Sequence, residues 1–134
     1  MAHPFYHAQR SVRSWGGCVE DYLPIHSWFD ESKAHLSDFR HRALRHHSEG
    51  IFLAEKLFGV TIRNSDGKDV PVRAVGEQHV QDDLGWIPSV KDWLQHLDVQ
   101  PWMTRTRWKP SRGDADPDEA PTPLECNNRA STRP

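Results

Sequence analysis

The chain has 134 residues, room for one domain with a core of its own. It is 36% hydrophobic and 27% charged, with 17 Lys+Arg against 19 Asp+Glu and a formal charge of −2. That balance excludes a basic nucleic-acid coat, and no run of apolar residues approaches the length of a membrane span. Histidine is in excess: nine occur, and His26, His35, His41, His46 and His47 crowd into one stretch.

In chain order, residues 4–15 are predicted to form a helix, with Pro4 in the first turn and Gly16-Gly17 ending it. A second helix is predicted over 22–32, with Asp21 as N-cap and Pro24 in its first turn. A third and longest is predicted over 38–58, closed by Gly59. Phe39, Ala43, His46, Gly50, Leu53 and Leu57 recur along it at helical spacing, and Leu44, His47, Ile51, Ala54 and Phe58 form an adjacent stripe. The two stripes make it the expected central helix, with His46 and His47 on its buried face and His41 opposite.

After Gly59 the period changes. Val60–Arg63, the turn Asn64-Ser65-Asp66-Gly67 and Lys68–Val72 read as a β-hairpin with a type I turn and a glycine bulge, Pro71 marking an edge. A helix over 72–84 ends at Gly85, and Ser89-x-x-Asp92 caps another over 89–97. The fold class is therefore mainly α: a compact helical domain over 3–103 with one small β-hairpin. Residues 104–134 contain Pro110, Pro117, Pro121, Pro123 and Pro134 and are expected to be a disordered tail. Cys18 and Cys126 show no CxxC spacing, no disulfide framework is expected, and the N-terminus lacks a signal-peptide pattern. A reduced, cytoplasmic protein is the expectation.

Neutral imidazole and carboxylate are natural ligands for zinc or manganese, and a helix presents them on one face at a spacing of four. Two such pairs exist, His26 with Asp30 and His79 with Asp83, and the third helix adds His46, with His41 in reserve. A divalent metal on residues drawn from these six is the leading chemical expectation, with metal-dependent hydrolysis of a phosphoester as its extension. Against it, His-Asp pairs at this spacing arise readily among nine histidines and 19 acids, and no His-Glu-x-x-His signature occurs. His35 and His47 are the most dispensable, and His3, His7 and His96 are expected to face solvent.

Arg40, Arg42 and Arg45 suggest a phosphate site, but Asp30, Glu31, Asp38 and Glu49 lie near enough for ordinary ion pairs, and nucleic acid is not the expected partner. Cys18 and Ser48 lack the context of a nucleophile. The competing functional class is a non-enzymatic protein that binds a host protein or itself. Its histidines would then be structural, and Trp86, Trp102 and Trp108 its anchors.

One combination of motifs is distinctive: Ile25-His26-Ser27-Trp28-Phe29-Asp30-Glu31-Ser32-Lys33, Arg40-His41-Arg42-Ala43, His46-His47-Ser48-Glu49-Gly50-Ile51, Asn64-Ser65-Asp66-Gly67, Glu77-Gln78-His79-Val80 and Asp83-Leu84-Gly85-Trp86-Ile87-Pro88. With these the chain resembles a family of small uncharacterised proteins of bacteriophages and bacteria, a domain of unknown function. The resemblance covers residues 3–103. It implies a domain boundary and a phage or bacterial context, and no activity.

Overall fold

A computed structural model describes residues 3–105. It divides the chain into two units, Met1–Asp98 and Val99–Pro134. The second contributes, among the described residues, a single 3-10 turn over Pro101–Met103. The expected tail from 106 onward, with Trp108 and Cys126, lies outside the described residues.

The first unit is mainly α with one small hairpin. Helix α1 spans Pro4–Trp15 and stops where Gly16 takes φ +80°, a backbone that a side chain resists. Helix α2 spans Val19–Asp30. It begins three residues earlier than the sequence suggests, so Asp21 is not its N-cap and Pro24 lies inside it. Asp21 instead reaches back to accept from the Cys18 N–H (2.7 Å) and across to the Ser65 N–H (2.9 Å) and hydroxyl (2.8 Å). One carboxylate thereby ties the start of α2 to the hairpin turn.

The long helix expected over 38–58 is two elements. A 3-10 segment covers Phe39–Leu44, and helix α3 covers Ser48–Phe58. Between them the chain turns at Arg45–His47, and His47 becomes the N-cap of α3, its Nδ1 accepting from the Gly50 N–H at 2.9 Å. Gly50 permits the turn, because a Cβ there would overlap the Arg45 carbonyl. Apolar periodicity continues through the break, which hid it. Only half of that pattern is core: Ile51 and Ala54 are buried, while Phe39, Leu44, Leu53 and Leu57 are all more than half exposed.

Strands β1 (Thr61–Arg63) and β2 (Asp69–Pro71) pair antiparallel in the register Thr61↔Pro71, Ile62↔Val70, Arg63↔Asp69. Asn64 holds the turn by accepting from the Asp66 and Lys68 N–H groups and donating to the Trp15 carbonyl and Tyr22 hydroxyl. Helix α4 (Val72–Leu84) follows, and Ser89 caps the short α5 (Val90–Leu94), which ends before the expected residue 97.

Helix α1 packs on α2, α3 on α4, and α4 also on α1 and α2. Ala8, Tyr22, Ile25, Trp28, Phe29, Ile51, Ala54, Val70, Val72, Val75 and Val80 form the apolar core. Six histidines are buried beside it: His7, His26, His41, His46, His47 and His79. No helix among the described residues is long and apolar enough to cross a membrane.

Candidate metal centre

A core built partly of imidazole requires partners, because a buried polar group left unpaired costs stability. The partners here are carboxylates. Asp30 ends α2, His79 and Asp83 stand one turn apart on α4, and His46 comes from the turn before α3. The His46 backbone is fixed from outside by Trp93, whose indole Nε1 donates to the His46 carbonyl at 2.9 Å.

One ligand-type atom from each of Asp30, His46, His79 and Asp83 lies within 4.8 Å of the other three, a group that could hold a metal ion. His46 Nε2 is 3.0 Å from Asp83 Oδ2 and 3.2 Å from His79 Nε2. His79 Nε2 is 3.4 Å from the same Asp83 oxygen, and both imidazole nitrogens are 3.6 Å from Asp30 Oδ1. Four ligands around an ion at about 2.0–2.1 Å stand about 3.3–3.4 Å apart at the corners of a tetrahedron. These five of the six separations straddle that value, and the sixth, between the two carboxylates, is within 4.8 Å. The side chains are 0%, 0%, 5% and 4% exposed for His46, His79, Asp30 and Asp83, so the centre is closed to solvent.

Hydrogen bonding within the protein does not satisfy this group. Both Asp30 oxygens are buried without a hydrogen-bond partner, as is His46 Nδ1. Among the described residues Asp30 has only ion-pair neighbours: His46 and His79 on Oδ1, and Lys33 Nζ 3.9 Å from Oδ2.

Protonation follows from the same geometry. Burial pushes His46 down to about 4 against the pull of Asp83, so its ring is neutral at pH 7. Burial also opposes charge on His79, but the Asp30 and Asp83 carboxylates prevail and raise its pKa. Burial raises Asp83, but His46, His7 and His79 outweigh it and hold the carboxyl below its usual range. Asp30 is likewise held low against burial, chiefly by His79. The two carboxylates that raise the His79 pKa are the same ones that would draw a cation to this place.

Of the six sequence candidates, four meet here and two do not. His26 shares a helix with Asp30, yet its ring lies beyond His79, Nδ1 to Nδ1 at 2.9 Å, and its Nε2 is 2.8 Å from Ser11 Oγ. His41 is buried behind His46, ring centroids 5.7 Å apart, with Nδ1 2.9 Å from Ser32 Oγ. It is not on a solvent face, because the 3-10 winding turns it inward.

His7, expected to face solvent, is buried: its Nε2 is 3.3 Å from Asp83 Oδ1 and its ring lies against His79 at 4.2 Å between centroids. With Arg42 Nη2 at 3.5 Å, it occupies the Asp83 oxygen that points away from the cluster. The spacing of His7 with Ala8 and Ser11, all buried, was the available signal for this face of α1. His3, His35 and His96 are exposed, and His47 is a helix cap. Arg40 pairs with Asp38 and Arg45 with Glu31, ordinary ion pairs within the basic run.

Fold and cluster together define a small helical domain with an imidazole–carboxylate centre in its interior. The chain belongs to the family described as a domain of unknown function, DUF6915, whose model matches residues 2–103. No curated protein and no solved structure matches it.

Proposed function

We propose that this domain binds one divalent cation, best matched by zinc, on Asp30, His46, His79 and Asp83, and that the ion is structural. The observation that carries the reading is the close approach of four buried ligand atoms, all within 4.8 Å of one another, from three separate segments, one of them an Asp30 carboxylate without a hydrogen bond among the described residues. A cation there neutralises two buried carboxylates and links α2, the turn before α3, and α4. Manganese, the other expected metal, prefers six mostly oxygen ligands, which this set does not supply. Hydrolysis needs an open coordination position for water. Four closed protein ligands favour a clamp over a phosphoester hydrolase.

Elemental analysis tests this on full-length protein purified without chelators. One zinc per chain is expected, falling to a trace in Asp30→Ala and His79→Ala. Metal-free wild type that takes up no added zinc would overturn the reading.

A second reading, a non-enzymatic interaction protein, draws on a separate feature. Phe52, Leu53 and Leu57 on α3 and Val60 beyond it are 52–70% exposed, more apolar surface than a lone helix face needs to show. Trp86 and Trp102 are exposed as well. Leu53→Glu with Leu57→Glu is expected to abolish self-association or host-protein capture, and unchanged association would remove this reading.

A further inference from the structure

A metal-bound histidine is only as well aimed as the group that holds its other nitrogen. Resting on the zinc reading above, we propose that His26, Ser11 and Gln78 are positioning residues: they form a one-way hydrogen-bond chain that fixes the tautomer of His79 and turns its Nε2 lone pair toward the ion.

Each link follows from the one before. Facing Nδ1 atoms of His79 and His26, 2.9 Å apart, share one proton between them. A cation on His79 Nε2 leaves that neutral ring its proton on Nδ1, so His79 donates and His26 Nδ1 accepts. The His26 proton must then sit on Nε2, where it donates to Ser11 Oγ at 2.8 Å. The Ser11 hydroxyl in turn donates to Gln78 Oε1 at 2.9 Å, with the His7 backbone carbonyl a longer alternative acceptor at 3.2 Å.

The orientation of Gln78 agrees with this direction. Its Nε2 donates to the His7 backbone carbonyl at 3.0 Å, so its Oε1 must face Ser11. Were the chain reversed, Ser11 would donate to His26 and Gln78 Oε1 would lose its donor. Ser11 and His26 are fully buried, so water cannot substitute for either. The chain therefore runs from the metal-facing ring of His79 on α4 through His26 and Ser11 to Gln78, which is anchored on a main-chain carbonyl of α1. His7, stacked on His26 with centroids 5.6 Å apart and tilted against His79 at 4.2 Å, packs both rings in place.

The experiment pairs a spectroscopic readout with an affinity. In zinc-loaded wild type, long-range ¹H–¹⁵N NMR of the histidine side chains is expected to show His79 protonated at Nδ1 and His26 at Nε2. A proton on His26 Nδ1 would overturn the chain. Competition with a chromophoric chelator is expected to show zinc affinity about 10–100-fold weaker in Ser11→Ala. Wild-type affinity in that variant would also overturn it. Because the NMR assignment uses wild type, it decides the matter even if Ser11→Ala fails to fold. Wild type that binds no zinc sinks the metal reading itself, whereas zinc binding with the opposite tautomers sinks only the chain.

Discussion

The interior between α1, α2 and α4 and the outer face of α3 reverse the usual arrangement. Inside stand His7, His26, His46, His79, Asp30 and Asp83, none more than slightly exposed. Outside stand Phe52, Leu53 and Leu57, each about half exposed or more. Burial of apolar surface is the ordinary driving force of a fold. Here part of the interior is given to charged and polar groups that stabilise only while every partner is present. The inner region is therefore predicted to be intolerant of change and dependent on a cation, whereas substitutions on the outer face should leave stability unchanged.

Removing Asp83 breaks the comparison most severely. It strips a partner from His46, His79, His7 and Arg42 at once. Asp83→Ala is expected to cost about 3–5 kcal/mol, a fall in Tm of roughly 12 °C or more in calorimetry, together with loss of zinc.

Chelation comes next. Zinc at a hundred times its Kd contributes about 2.7 kcal/mol, so EDTA is expected to lower Tm by roughly 10–20 °C. The drop should grow with pH. In the ion-free protein the raised pKa of His79 gives stability that is complete below about pH 6.5 and lost as pH rises through the folded-state value. A bound ion displaces that proton and removes the loss. Equal EDTA effects at pH 6 and pH 8 would contradict this assignment.

Gly50 sits where the two regions join. Gly50→Ala drives a methyl into the Arg45 carbonyl and displaces the turn that delivers His46. An expected cost of about 1–3 kcal/mol, with weaker zinc binding, is measurable by urea denaturation and zinc titration. Leu57→Ser on the outer face should change stability by no more than about 0.5 kcal/mol. A larger loss would mean that this face is packed.

The sequence pattern made some of this legible and hid the rest for identifiable reasons. Pro4, Gly16, Asn64, Gly67 and Gly85 punctuate the chain through local geometry, so α1, the hairpin and α4 could be bounded from residues alone. The break before α3 depends on a tight backbone turn, the close pass of Gly50 on the Arg45 carbonyl, and apolar spacing running through it carries no trace of that. Asp30, His46, His79 and Asp83 were nameable from ligand chemistry and helical spacing. The different place of His26 was not, because a spacing of four puts two residues on one face without saying which way each ring turns. His7 departs from expectation because polar residues on a terminal helix ordinarily face water, and here that face of α1 meets carboxylates.

Zinc K-edge X-ray absorption on the loaded full-length chain tests the closed centre most directly. Four nitrogen and oxygen ligands at about 2.0–2.1 Å are expected, with the multiple-scattering signature of two imidazoles. A shell of five or six ligands including water, or a protein that retains no zinc to measure, would contradict it.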